Sequence, residues 1–253
     1  MSDAGVNEAR TNGALLQTEG LTRRFGGLTA IAEVSLTVQR GEVLGLIGPN
    51  GAGKTTLFNL ISGTYAPSAG RILFEGRSLV GLAPHQVCRR GLTRTFQITR
   101  PFQHLSVLDN AIVGALNAAP SLPAARERAR EMLALCGLEA RAARPAGTLS
   151  VPERKRLELA RGLATAPRLL LLDEVMAGLN PREQDGMIAL IGRIRERGVT
   201  LLVIEHAMKV IMSISHRIVV IHHGEKIAEG PPREISTNPR VIEAYLGEEY
   251  RFA

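Results

Sequence analysis

Apolar positions along this chain fall into two rhythms, and each predicts a different kind of element. Val43–Ile47 and Leu169–Leu172 are short continuous apolar runs, the pattern of strands buried on both faces. Leu15–Leu21, Val34–Val38, Arg71–Phe74, Thr200–Ile204 and Ile218–Ile221 are also strand-sized, with Thr22–Ala32 expected as the loop between the first two. From Pro84 to about Ala166 the apolar residues recur at three and four spacing. That predicts helices over Val107–Leu116, Ala124–Cys136 and Pro152–Thr165. Leu57–Ile61, Arg182–Arg197 and Ala207–Ile214 read the same way. His223-Gly224-Glu225 predicts a hairpin turn, and Gly230-Pro-Pro232 the opening of a short C-terminal tail. A helical block is therefore expected between two strand-bearing parts, with residues 1–14 and 248–253 as tails.

The turn after the first buried run carries the chemistry. Gly48-Pro49-Asn50-Gly51-Ala52-Gly53-Lys54-Thr55-Thr56 has the spacing G-x-x-x-x-G-K-T, between a predicted strand and a predicted helix. Glycines let the backbone curl so that successive N–H groups point at phosphate oxygens. The helix N-terminus adds its partial positive charge. Lys54 reaches the β- and γ-phosphates, and the Thr55 hydroxyl holds Mg²⁺. The second buried run ends in Asp173-Glu174, and ligands sit at the carboxyl ends of parallel strands. Asp173 suits Mg²⁺ binding through water. Glu174 suits polarising a water for attack on the γ-phosphate.

Composition narrows the class further. With 253 residues, 45% of them hydrophobic, the chain supports one large core or two small ones. No apolar run has the length of a membrane span, and Asp3 and Glu8 in the polar opening read against a signal peptide. Cys88 and Cys136 lack metal or redox spacing and read as reduced structural thiols. A net charge of +7 is compatible with nucleic acid, an anionic membrane face, or an arginine-rich genome. Aromatics at 4% are too sparse for single-strand stacking platforms. His222-His223 are read as turn flanks, since neighbours in a strand point to opposite faces.

In order and spacing, these motifs resemble the nucleotide-binding subunit of an ATP-binding cassette (ABC) transporter from about Leu15 to Gly247. Arg24-Phe25-Gly26-Gly27-Leu28, Arg94-Thr95-Phe96-Gln97, Ala177-Gly178-Leu179-Asn180, Glu205-His206 and Val241–Gly247 are most similar to the branched-chain amino acid uptake family. The resemblance implies an α/β fold with a P-loop NTPase (RecA-like) core, an antiparallel β-subdomain and an inserted α-helical subdomain at about 88–166. It implies an ATPase with ATP and Mg²⁺ as cofactors. By the same resemblance Phe25 stacks on adenine. Gln97 touches Mg²⁺ and the attacking water and couples the site to membrane subunits. His206 hydrogen-bonds the γ-phosphate, and Ser150 opens the signature helix that meets the nucleotide of a second subunit. The implied partners are permease subunits, indirectly a periplasmic or extracellular binding protein, and a head-to-tail ATPase partner, itself or a sister, but no nucleic acid. The implied location is the cytoplasmic face of the inner membrane.

Two positions depart from the family pattern. Val175 stands where a proline usually follows the Asp-Glu pair. The signature segment reads Leu149-Ser150-Val151-Pro152-Glu153, without its usual glycines. Ser150 and Glu153 still predict a capping box, and proline is tolerated in a first helical turn. Proline cannot offer its N–H to phosphate, which predicts a looser grip on ATP. Rival readings are a lipopolysaccharide-export ATPase, a soluble ABC protein acting on ribosomes or DNA, and a non-hydrolysing regulatory subunit.

Overall fold

The computed structural model describes residues 13–95 and 101–249. Its chain forms two compact units: residues up to Pro84 together with those from Thr200 onward, and His85–Val199.

The first unit holds two sheets. β1 (Ala14–Phe25) pairs antiparallel with β2 (Leu28–Gln39) on one side and β4 (Ala69–Phe74) on the other, and the two-residue β5 (Arg77–Ser78) completes the order β2-β1-β4-β5. In the other sheet β3 (Val43–Ile47) runs parallel to both β8 (Thr200–Ile204) and β9 (Arg217–His222), and β10 (Glu225–Gly230) folds back antiparallel on β9. Every residue of β3 and β8 is buried, as their unbroken apolar character requires. α1 (Lys54–Ile61) follows β3, and α7 (Met208–Ile214) follows β8. Gly45 lies in β3 because a side chain there would meet Ser215 Oγ at 2.7 Å and the Ile211 side chain at 3.0 Å.

An ion-pair network joins both sheets of this unit. Arg217 on β9 donates from Nε and Nη2 to the two oxygens of Glu42 at 2.9 and 3.0 Å, and from Nη2 to the Thr37 carbonyl at 2.6 Å. Its Nη1 pairs with Glu229, which also accepts from Lys226 at 2.7 Å. Burial pushes the Glu229 carboxyl up, but the hydrogen bonds and charges of Lys226 and Arg217 outweigh it and hold the group below its ordinary range.

The second unit contains α2 (Pro84–Arg89, starting at the boundary), β6 (Leu92–Arg94), α3 (Val107–Ala115), α4 (Leu122–Leu135), α5 (Val151–Ala164), β7 (Leu169–Asp173) and α6 (Pro181–Glu196). β6 and β7 are parallel, with Leu92 opposite Leu169 and Arg94 opposite Leu171. α3, α4 and α5 pack on one another. At Gly114 of α3 a Cβ would lie 2.3 Å from the Arg161 carbonyl oxygen of α5, so the two helices cross at backbone contact. Capping boxes open both α5 (Ser150 with Glu153) and α6 (Asn180 with Glu183).

Three expectations change. The loop expected over Thr22–Ala32 is a tight hairpin, with Phe25 paired to Leu28 around Gly26-Gly27. Its strands go unrecognised because their outer ends are solvated and carry no alternation. β6 lies inside the stretch read as helical, three residues long and without a period of its own. The expected C-terminal tail forms two helices, α8 (Pro232–Ser236) and α9 (Pro239–Glu249). Pro232 and Pro239 start these helices instead of ending structure, since a first-turn residue has no intrahelical use for its N–H.

Candidate functional site

The glycine-rich turn is held from three sides within the first unit. Gly48 leaves β3 so close to β9 that a Cβ would stand 2.0 Å from the Ile221 carbonyl oxygen. Gly53 has φ 105 and presses on β2, with a Cβ position 2.6 Å from the Ala30 carbonyl. Gly224, in the β9–β10 turn, donates its N–H to the Ala52 carbonyl at 3.0 Å and accepts from Ala32 N–H at 2.9 Å. Leu57 N–H donates to the Gly53 carbonyl at 2.9 Å, so helical bonding begins at the glycine itself. α1 has no side-chain cap hydrogen bond at its N-cap and no acidic residue in its first turn. The positive end of its dipole is therefore not neutralised by a carboxylate of its own.

Lys54 is 6% exposed. Its ammonium donates to the Gly48 and Pro49 carbonyls at 2.6 and 2.7 Å, which bends the side chain back over the loop. Pro49 and Ala52 are buried, Gly53 and Thr56 half-buried, and Asn50, Gly51 and Thr55 exposed. His206 is exposed directly beyond β8. Because Leu46 is in register with Ile204, the glycine-rich turn and His206 leave adjacent parallel strands at the same edge. That edge is where ligands of parallel sheets bind. Phe25 ends β1, 38% exposed, with Tyr65 edge-on at 5.4 Å.

The second unit positions the acidic pair. Asp173 is 2% exposed at the end of β7, and Arg94 Nη2 donates to its Oδ2 at 2.7 Å. Thr95 Oγ1 accepts the Asp173 N–H at 3.2 Å, while the Thr95 N–H donates to the Leu171 carbonyl at 2.9 Å. β6 and the residue after it thus grip the strand end through side chain and backbone. Glu174 is half-buried with φ 50, a left-handed conformation uncommon outside glycine. Lys155, one turn into α5, donates to the Glu174 carbonyl at 3.1 Å and so ties the acidic pair to that helix.

The capping box predicted at α5 is present. The Ser150 N–H and hydroxyl donate to Glu153 Oε2 at 2.9 and 3.0 Å, and Glu153 N–H returns to Ser150 Oγ at 3.4 Å. Those Ser150 bonds and Arg141, 2.9 Å away, hold the Glu153 carboxyl below its usual range against a smaller opposing effect of burial. Gln97 lies outside the described residues. His222 and His223 do not point apart; their ring centroids lie 3.9 Å apart with the planes tilted by 39°, because His223 has φ 48 and has already left the strand. Among the described residues no cluster of His, Cys, Asp and Glu forms a metal site, and no helix is long and apolar enough to cross a membrane.

Sequence reasoning missed Lys155 and Tyr65 and the Arg94–Asp173 contact. A lysine five residues after a signature serine and an arginine three before a glutamine carry no pattern of their own. Their partners are 19 and 79 residues away.

The pattern of the family described as ABC transporter matches residues 31–177, and that described as branched-chain amino acid ATP-binding cassette transporter matches 225–251. The high-affinity branched-chain amino acid transport ATP-binding protein BraF of Pseudomonas aeruginosa is 45% identical over 92% of this chain and 98% of its own. The lipopolysaccharide export ATP-binding protein LptB of Acidithiobacillus ferridurans is 36% identical over 94% of this chain and 98% of its own, a more distant relative. An ATP-binding cassette of an ABC transporter solved in its ADP conformation superposes with a TM-score of 0.84 at 30% identity, covering 92% of this chain and 99% of its own. A dimeric cassette bound to ADP and Pi gives 0.76 at 25% identity, covering 86% and 99%. The strand, glycine-rich turn and helix described above are the P-loop of that fold, and the chain belongs to the ABC transporter family, among its branched-chain amino acid ATP-binding proteins.

Proposed function

We propose that this chain binds MgATP and hydrolyses it to drive a branched-chain amino acid importer. The observation that carries the reading is the P-loop itself. A buried lysine is poised over a loop of backbone donors at an uncapped helix start, so triphosphate oxygens can replace the carbonyls that Lys54 now holds. Residues Gly48–Thr56 take the phosphates, Phe25 the adenine and His206 the γ-phosphate. Glu174 orients the attacking water, held in a left-handed backbone conformation at the end of its strand. Gln97 joins this set from the sequence resemblance alone.

By the resemblance, the exposed Thr55 hydroxyl and the Asp173 carboxyl, paired with Arg94, would hold the cation, and oxygen donors suit a hard divalent ion. Magnesium, when bound, supplies charge neutralisation across the β- and γ-phosphates. Ser150 faces the nucleotide of a second ATPase subunit, homologous or identical, in a head-to-tail dimer. Permease subunits at the cytoplasmic face of the membrane receive the stroke, and an external binding protein delivers the cargo to them. The relation to BraF favours uptake over the lipopolysaccharide-export reading.

Phosphate release and fluorescent-ATP binding by purified protein test this. Lys54→Ala is expected to lose most ATP affinity. Glu174→Gln is expected to keep binding, lose turnover by at least a hundredfold and accumulate an ATP-bound dimer. Turnover near wild type in Glu174→Gln would remove Glu174 from its role. Unimpaired branched-chain amino acid uptake in a strain lacking the gene would reassign the cargo.

A further inference from the structure

We propose that Arg23 is a positioning residue for the nucleotide base: it pins the Phe25 ring and brackets it to the loop that follows the P-loop helix. This rests on the reading that Phe25 stacks on adenine. The Arg23 guanidinium lies over the Phe25 ring at 4.4 Å from its centroid, and 5.6 Å from that of Tyr65. The Tyr65 ring meets the Phe25 ring edge-on, at 77°. Arg23 Nη1 donates to the Ala66 carbonyl at 2.7 Å. Thr64 and Tyr65 N–H groups donate to the carbonyl of Asn59 in α1 at 2.9 and 3.1 Å. A second link runs parallel, with Arg24 N–H donating to Ser68 Oγ at 3.0 Å and Ser68 N–H to the Thr22 carbonyl at 2.8 Å.

The arrangement matters because residues 24–29 of the hairpin tip are exposed, and an aromatic side chain there has little else to hold it. Arg23 covers part of the ring by cation–π attraction, and Phe25, 38% exposed, keeps surface for a purine. Arg23 Nε is buried with no hydrogen-bond acceptor among the described residues, so the rings and Ala66 fix the guanidinium. Base and phosphates are the two ends of one ligand. The bracket Phe25–Arg23–Ala66 and Tyr65–Asn59 sets the spacing between the stacking ring and the helix that starts at the phosphate loop. A ring free to wander engages the base only at the cost of its own ordering.

The test compares ATP with inorganic tripolyphosphate, which has the phosphates but no base, on the full chain by competition with fluorescent ATP. Arg23→Ala is expected to weaken ATP binding about 3- to 30-fold, the range of a cation–π contact, and to raise KM more than it lowers kcat. Tripolyphosphate affinity stays at the wild-type value. Arg23→Lys keeps the cation and recovers part of the loss. Phe25→Ala loses at least as much as Arg23→Ala, and the double variant loses no more than Phe25→Ala alone. Unchanged ATP affinity in Phe25→Ala overturns the base-stacking reading on which this rests. A weakened Phe25→Ala beside an unaffected Arg23→Ala overturns the positioning role alone. Equal losses for ATP and tripolyphosphate in Arg23→Ala would mean general damage to the fold, and also overturn it.

Discussion

Replacing Arg217 by methionine tests the network that joins the two sheets of the first unit. The side chains of Arg217, Glu42 and Glu229 are only 15%, 8% and 16% exposed. Methionine fills most of the volume and removes the charge, so both carboxylates lose Arg217, while Glu42 retains the Gln39 N–H at 2.8 Å and Glu229 retains Lys226. Breaking a buried pair from one side costs about 3–5 kcal/mol, because the remaining charge loses that partner without regaining water. For a chain of this size that is a fall in Tm of roughly 6–20 °C. The pH dependence separates this cause from lost packing. In the intact protein the Glu229 carboxyl is held below its ordinary range, so its contribution is complete above the unfolded pKa and is lost as pH falls through the folded value. In the variant Glu229 keeps Lys226 but loses Arg217, so its carboxyl is held down less than in the intact protein. The deficit is therefore full at pH 7 and shrinks as pH falls below the ordinary carboxylate value toward the folded value of the intact protein. Urea unfolding followed by circular dichroism at pH 7 and at about pH 4 measures this. A deficit under about 1 kcal/mol at pH 7, or one that does not narrow at the lower pH, would refute the reasoning.

Three further outcomes follow from described geometry. Gly48→Ala sets a methyl 2.0 Å from the Ile221 carbonyl; it should abolish ATP binding and lower Tm, and a variant that binds ATP normally contradicts the close approach. Burial raises the Cys136 thiol to about 12 despite the nearby Arg156, Arg193 and Arg197, so it should resist alkylation at pH 8 until urea is added, as peptide mass mapping would read. Pro152→Gly returns an N–H to the first turn of α5; a charge-assisted hydrogen bond of roughly 1.5–3 kcal/mol should favour the ATP-bound dimer about ten- to a hundredfold by ultracentrifugation in a Glu174→Gln background.

Much of the site was legible because its residues are close in the chain. Gly48–Thr56 is one motif between a pure apolar run and a helical period, and Asp173-Glu174 ends another such run. The Ser150–Glu153 capping box is a four-residue rule, and the unremarked Asn180–Glu183 box obeys it too. What escaped depends on distance or context. Arg94 meets Asp173 across 79 positions, and Arg23 meets Ala66 across 43. β6 is too short to show a period, and the hairpin around Gly26-Gly27 is too solvated to show alternation. The prolines after Gly230 signal a boundary, and only tertiary context decides that helices lie beyond it.

The placement of β3 between β8 and β9 also sets a schedule for synthesis. Both neighbours of the P-loop strand are made after it, separated from Ile47 by roughly 150 residues, which a ribosome adds in roughly 8–30 s at ~5–20 residues per second. From the time it clears the ribosome until those strands are made, Val43–Ile47 is an apolar ribbon without either of its native sheet neighbours. A message broken anywhere before Thr200 releases it in that state for good, as a template for other nascent chains to pair with.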